Sequence, residues 1–122
     1  MKKKKNVDPI TNMINKLGLE QHAEGGYFKE LTITSAGSSI YYMLTKDQPV
    51  SHFHQLGQDE VWHFNAGQPI TIVELSKTGE EASLTILGNN MEDVLKGKMV
   101  MQHTIPKGTW FAAFFGQAPK RL

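Results

Sequence analysis

Cysteine is absent from the 122 residues of the chain. The absence excludes disulfide bridges, thiolate nucleophiles and thiolate metal ligands, so any metal ion would be held by histidine, aspartate or glutamate. With no disulfides to form, a reducing cytoplasm is the expected location. Long apolar runs are also absent. No segment approaches the ~18 residues of a membrane-spanning helix, which argues against a membrane partner.

Positive charge is scarce outside one short segment. The formal net charge is +1, and four of the 13 basic residues lie between Lys2 and Lys5. The remainder is mildly acidic and lacks the basic footprint of a nucleic-acid-binding protein. No apolar segment follows the lysines, as a signal peptide would require. We therefore interpret residues 1–7 as a disordered basic tail and residues 8–122 as a single domain.

The first element that the sequence predicts is a short helix. Asp8 suits the N-cap position, Pro9 suits the first turn, and Gly18 suits the C-terminal stop. The apolar residues between them follow the i, i+3, i+4, i+7 spacing of one helix face, at Ile10, Met13, Ile14 and Leu17. We expect this apolar stripe to pack on a sheet.

After residue 19, apolar residues recur with a period near two, which is typical of β-strands. The expected strands lie near residues 27–33, 40–44, 50–54, 60–64, 70–75, 83–87, 99–105 and 110–115. Turns rich in glycine, proline, asparagine or aspartate separate them. Residues 91–97 are predicted to form a loop or a single helical turn. Strands at this spacing indicate an antiparallel sandwich or barrel.

The hairpin predicted at residues 50–67 carries the most reactive side chains. His52 and His54 alternate on its first strand, so we expect both to point to one face. Glu60, Trp62 and Phe64 share a face of the return strand. If the two faces coincide, two imidazoles and one carboxylate converge beside an aromatic wall.

One hypothesis is a metal site at this hairpin. His52, His54 and Glu60 are the ligands that a two-histidine, one-carboxylate site for Fe, Mn, Ni or Zn would use. Such a site leaves coordination positions open for substrate or oxygen. It would make the protein a metal-dependent enzyme of the oxygenase or isomerase type.

A second hypothesis needs no metal. His54 beside Glu60 or Asp59 would be a catalytic base oriented by a carboxylate. A phenol from Tyr27, Tyr41 or Tyr42 would supply an acid.

A third hypothesis is a ligand-binding or storage module without turnover, because a pocket of aromatic rings and a few polar groups suffices for binding. Trp62, Phe64 and Trp110 could stack on a sugar or base ring, and Glu24 could enter the pocket beside a double glycine. The other histidines, His22, His63 and His103, are interpreted as ordinary core or surface groups.

Two motifs resemble those of the cupin superfamily. The first runs from His52 to Gly67, with five residues before Glu60 where the family usually has three or four. The second runs from Pro106 to Phe111, and Phe111 stands where cupins place the fourth metal-binding histidine. The resemblance implies that Phe111 lines the substrate pocket.

Further segments resemble one uncharacterised bacterial and fungal branch of the superfamily, which is related in fold to dTDP-sugar epimerases. That branch opens with His-Pro-Glu-Gly-Gly, matched at residues 22–26 except for Ala23, and contains Asp-Glu-x-Trp, matched at residues 59–62. The likeness covers residues 8–115 in order. It implies an all-β cupin double-stranded β-helix, a jelly-roll barrel, with one short N-terminal α-helix and an internal pocket.

The resemblance also implies a homodimer. Members of the branch continue with further strands beyond the tryptophan-containing strand, so the domain at residues 8–122 is expected to be C-terminally shortened. A sheet edge or one side of the pocket would then stay open, and an open edge invites pairing with a second chain. The sequence as a whole predicts a protein that binds or converts a small polar molecule such as a carbohydrate.

Overall fold

The computed structural model describes residues 8–122, and the tail predicted at residues 1–7 lies outside them. The described elements, in chain order, are α1 (Pro9–Leu17), β1 (Glu20–Gln21), β2 (Tyr27–Thr34), β3 (Gly37–Met43), β4 (Val50–His54), β5 (Glu60–His63), β6 (Ile70–Leu75), β7 (Ala82–Leu87), α2 (Met91–Leu95), β8 (Gln102–Ile105) and β9 (Phe111–Phe115). The single turn predicted after β7 is therefore the short helix α2.

Helix α1 has the ends that its sequence predicts. The Asp8 side chain accepts a hydrogen bond from the backbone N–H of Ile10, and Gly18 ends the helix with a φ of +66°. The expected packing of its apolar stripe on a sheet is only partly realised. Ile10 and Met13 are exposed, and only the later part of the stripe is half-buried. Neither helix of the described chain is long and apolar enough to cross a membrane.

The strands form three antiparallel sheets in the part of the chain that is described. Their strand orders are β1-β2-β3, β4-β9-β6-β7 and β5-β8. Pairing of β4 with β9, which are far apart in the chain, gives the crossed connections of a jelly roll and confirms the predicted fold class. The sheets do not close into a complete barrel, because each keeps two edge strands: β1 and β3, β4 and β7, and β5 and β8.

The four-stranded sheet and the β5-β8 sheet share one hydrophobic core. Its fully buried side chains are Ile72, Leu87, Ile105, Phe111 and Ala113, and Trp62, Phe64 and Ile70 pack against them. Apolar residues of β6 and β9 thus meet Ile105 of β8 across the interior. These buried residues show which face of each sheet points inward. The candidate site lies between those inward faces.

Candidate functional site

One row of paired residues crosses the inward face of the four-stranded sheet. His54 pairs with Phe111, Phe111 with Glu74, and Glu74 with Ser83. Directly paired residues of neighbouring strands point to the same face of a sheet. Because Phe111 is buried in the core, His54 and Glu74 on either side of it point inward, whereas Ser83 at the edge of the sheet is exposed. His54 and Glu74 therefore flank Phe111, one strand away on each side.

The opposite sheet brings a carboxylate and an indole to the same interior. Glu60 pairs with the buried Ile105, so Glu60 and Trp62, two residues apart, point inward. The Trp62 indole N–H donates a hydrogen bond to the Glu60 carboxylate. Its ring meets Phe111 edge-on, with centroids 6.3 Å apart and an interplanar angle of 88°. An edge-to-face contact of this kind is favourable for aromatic rings.

The β1-β2-β3 sheet and the residues after β1 close one side of this arrangement. The Tyr42 ring lies 5.6 Å from Trp62 and 5.7 Å from the His22 ring, between centroids. The His22 and His54 rings are 6.3 Å apart. The group is called the aromatic cluster below, and it comprises His22, Tyr42, His54, Glu60, Trp62 and Phe111.

Hydrogen bonds fix opposite tautomers on the two histidines of the cluster. Nδ1 of His54 lies 2.7 Å from the backbone carbonyl oxygen of His52, which can only accept, so this Nδ1 carries the proton. In the neutral ring, Nε2 of His54 is then a lone-pair acceptor. Nδ1 of His22 instead accepts the backbone N–H of Glu24 at 3.0 Å. Its neutral ring therefore carries the proton on Nε2 and presents a donor.

Both Nε2 atoms are free to meet a ligand. Neither has a hydrogen-bond partner among residues 8–122. In the same residues, no buried side-chain nitrogen or oxygen lacks a partner. The two Nε2 atoms are therefore accessible from outside the cluster. The aromatic cluster thus presents an acceptor and a donor on neighbouring rings.

The Tyr42 phenol is a neutral donor in this setting. Burial raises the pKa of Tyr42 to about 12, the hydrogen bond with Ser51 partly opposes the rise, and the carboxylates of Glu60 and Glu24 add to it. Its hydroxyl donates to the carbonyl oxygen of Gly25. Tyr42 therefore holds the turn after β1 against the cluster and does not ionise near neutral pH.

Comparison with known proteins identifies the family of this chain. The family model described as "Cupin superfamily (DUF985)" matches residues 11–120. This chain is a cupin. Its fold is similar to that of a protein from Shewanella oneidensis solved by X-ray crystallography, with a TM-score of 0.78 and 34% sequence identity. The match covers 91% of this chain and 72% of the Shewanella chain. A hypothetical protein from Leishmania major is similar with a TM-score of 0.75 and 25% identity, over 93% and 73% of the two chains. No curated protein matches.

His52 does not join the aromatic cluster of this cupin. Ser51 pairs with Ala113 and His54 with Phe111, so three positions of β4 span two positions of β9. This β-bulge puts Ser51 and His54 on one face and breaks the alternation that predicts His52 beside His54. His52 is exposed, and its Nδ1 lies 3.2 Å from the backbone oxygen of Leu122.

The residues present do not fit the metal site that cupin sequences imply. Of the three expected ligands, only His54 and Glu60 belong to the aromatic cluster, and Phe111 offers no donor atom. Within residues 8–122, no group of three or more histidine, cysteine, aspartate or glutamate side chains is arranged to hold a metal ion.

The other pocket residues expected from the sequence divide between two faces. Trp62 and Phe111 line the cluster, Phe64 packs against the core, and Glu24 is half-buried. Tyr41 and Trp110 are exposed, at 38% and 49%. Each is the neighbour of an inward residue, so strand alternation turns its side chain outward. A ligand at the aromatic cluster would not contact Tyr41 or Trp110.

Two histidines interpreted from the sequence as ordinary core or surface groups, His22 and His103, point into the interior. His22 belongs to the aromatic cluster, and Nε2 of His103 contacts the Glu74 carboxylate across the interior. One signal was available for His103, since it lies two positions from the apolar Ile105 and shares its face. His22 follows a two-residue strand and carried no such signal. His63 is exposed, in agreement with its interpretation.

Two surface grooves of residues 8–122 lie outside the cluster, because none of its six residues lines either groove. The rings of the cluster are in contact, with centroids as close as 4.4 Å between His54 and Phe111. One of these grooves measures about 300 Å³ and runs along Glu74. A ligand would therefore reach the cluster at the accessible edges of its imidazoles.

Proposed function

We propose that this cupin binds a small polar molecule, such as a carbohydrate, at the aromatic cluster and transfers a proton with His54. The observation that carries the proposal is the pair of opposite tautomers on His22 and His54. An acceptor Nε2 and a donor Nε2–H, on rings 6.3 Å apart, suit a ligand that loses a proton while a neighbouring oxygen gains charge.

The step uses only groups of this chain. His54 Nε2 takes a proton from a carbon next to a ligand carbonyl, and the electron pair moves onto the carbonyl oxygen. The Nε2–H of His22 donates a hydrogen bond to that oxygen. Glu60, whose carboxylate accepts the Trp62 indole N–H, is the acidic group of the same cluster. Return of a proton from His54 to the same face of the carbon completes an exchange with solvent. Delivery of a proton from a solvent water to the opposite face, with His54 giving its proton to solvent, completes an epimerisation.

Solvent exchange tests the proposal directly. The protein is incubated in deuterium oxide with dTDP- and UDP-linked keto-sugars, and deuterium at the carbon next to the carbonyl is followed by NMR. Exchange is expected in the wild type and is expected to fall by about 100-fold or more in His54→Gln, the usual contribution of a positioned base. His63→Gln, a change of an exposed histidine on β5, is the matched control and should exchange normally.

The result also separates the alternatives. Binding of the sugars without exchange in the wild type would contradict proton transfer and favour the ligand-binding or storage module. Equal exchange in wild type and His54→Gln would remove His54 from the mechanism. The metal-dependent alternative, with Fe, Mn, Ni or Zn, stays a prediction from the sequence motif.

We also propose that the protein is a homodimer that pairs through the β2-β3 hairpin. Strand β3 is a sheet edge with no charged residue and no proline, so it lacks the usual protection against pairing. Ile33 and Ile40 are 72% and 44% exposed. Register places both on the face of the hairpin that carries Tyr42. A second copy that packs on this hairpin about a two-fold axis would cover this apolar face and border the aromatic cluster.

A further inference from the structure

Glu74 and His103 form a second polar pair that the proposed function does not use. Glu74 pairs with Phe111 on the four-stranded sheet, and His103 pairs with Trp62 on the opposite sheet. Nε2 of His103 contacts the Glu74 carboxylate and so links the two sheets. Strand β9, which carries Phe111, lies between His54 and Glu74. The Glu74–His103 pair therefore lies on the opposite side of Phe111 from His54.

The pair is partly accessible, and an open groove begins at it. The side chains of His103 and Glu74 are 25% and 16% exposed. The groove measures about 300 Å³ and lies between the β6-β7 hairpin and residues 106–109. Its polar lining consists of Glu74, Ser76, Lys77, Glu81, Ser83 and Thr109. The volume is at the lower end of the range for small-molecule sites, which suits a ligand of monosaccharide size.

The free polar groups of the groove define the chemistry of a ligand. Ser76 is engaged within its own turn, where its hydroxyl bonds Thr78 and the backbone N–H of Glu81. The side chains of Glu81, Ser83 and Thr109 make no hydrogen bond to other residues in the described range 8–122. One oxygen of the Glu74 carboxylate is held by His103, which leaves the other as an acceptor.

The groove carries side chains of both charge signs. Lys77, Glu74 and Glu81 all line it, and His103 contacts the Glu74 carboxylate. A strongly charged ligand of either sign would meet a like charge among Lys77, Glu74 and Glu81, whereas ligand hydroxyls can donate to the carboxylates and accept from Ser83 and Thr109. We propose that this groove is a second binding site, for a neutral, hydroxyl-rich molecule of monosaccharide size, with Glu74 as the main acceptor and His103 as the residue that positions it.

NMR titration of the full, isotope-labelled chain tests the groove. The probes are D-glucose, D-galactose and myo-inositol, and the readouts are the His103 side chain and the backbone amides of Ser83 and Thr109. At least one probe should give saturable shifts at these positions, with a dissociation constant of about 1 mM or tighter. Glu74→Gln and Ser83→Ala should each weaken binding by about tenfold. Glu80→Gln, an exposed change beside the groove, is the matched control.

Each other outcome overturns the proposal. No saturable shift with any of the three probes would exclude a polyol site. Shifts that appear only with a cationic probe, glucosamine, would assign the groove to amines. Unchanged binding in Ser83→Ala, which keeps the Glu74–His103 pair intact, would place the probe elsewhere even if Glu74→Gln fails to fold. Binding lost in His54→Gln would assign the shifts to the aromatic cluster, so failure here and failure of the proposed function are distinguishable.

Discussion

Replacement of Gly25 by alanine tests how tightly the turn after β1 is held against β4. Gly25 has a φ of +109°, and a Cβ built on it would lie 1.9 Å from the backbone oxygen of Val50. Real Cβ atoms do not approach a backbone oxygen so closely, so the turn or the strand must move. The carbonyl oxygen of Gly25 also accepts the Tyr42 hydroxyl. Any shift of Gly25 therefore reaches the aromatic cluster.

The expected loss of stability has two parts. A positive φ costs an L-residue with a side chain about 1–2 kcal/mol. Forcing a methyl group into a packed contact costs about 1–3 kcal/mol more. The Gly25→Ala variant should therefore lose about 2–5 kcal/mol of the free energy of unfolding. At about 2.1 cal/mol/K of unfolding entropy per residue, a chain of 122 residues should melt about 8–20 °C lower.

Calorimetry of two control variants separates the cost of the positive φ from the cost of the close contact with Val50. Gly79 has a φ of +75° and open space around its Cβ position, so Gly79→Ala carries the φ cost alone and should lower Tm by about 4–8 °C. Gly57 has neither a positive φ nor a neighbour within 4 Å, and Gly57→Ala should change Tm little. Equal losses in Gly25→Ala and Gly79→Ala would refute the close approach to Val50.

Two further predictions concern the Tyr42 phenol and the dimer. Tyr42 titrates at about 12 in the folded chain and at its ordinary pKa near 10 when unfolded, so only the unfolded chain ionises between these values. Stability should therefore fall as pH rises from 10 to 12, by about 2–3 kcal/mol more in the wild type than in Tyr42→Phe. Urea unfolding at several pH values measures this, and the same fall in both proteins would contradict it. Light scattering should give twice the mass of one chain for the wild type and for Leu84→Lys, a change at an exposed residue of β7, but one chain for Ile33→Lys. A monomeric wild type would exclude the dimer.

The elements that are specified by neighbouring residues could be predicted from the sequence. Helix α1 begins after Asp8 and ends before Gly18 as predicted, because the cap, the proline and the stop belong to the helix itself. Strand positions followed from alternation and from the turns between them. Glu60 and Trp62 share a face for the same reason, since they lie two positions apart on β5. These features depend on neighbours within a few residues.

Placement of the site histidines depended on pairing that local patterns do not contain. Alternation predicts His52 and His54 on one face, but the bulge opposite Phe111 separates them. That bulge arises where β4 meets β9, more than fifty residues further along the chain. His22 enters the cluster because the β1-β2-β3 sheet closes against Trp62 through Tyr42. Neither contact could be inferred from the residues around each histidine.

By itself, the sequence determined the fold class, the helix and most strand positions, and it predicted the two residues, His54 and Glu60, on which the proposed site is based. The tertiary structure decided which other side chains join them: His22 at the aromatic cluster, and Glu74 with His103 beyond Phe111. The physical reason is that period and capping act within one element, whereas a contact such as Glu74–His103, 29 residues apart, exists only when two sheets face each other in one register.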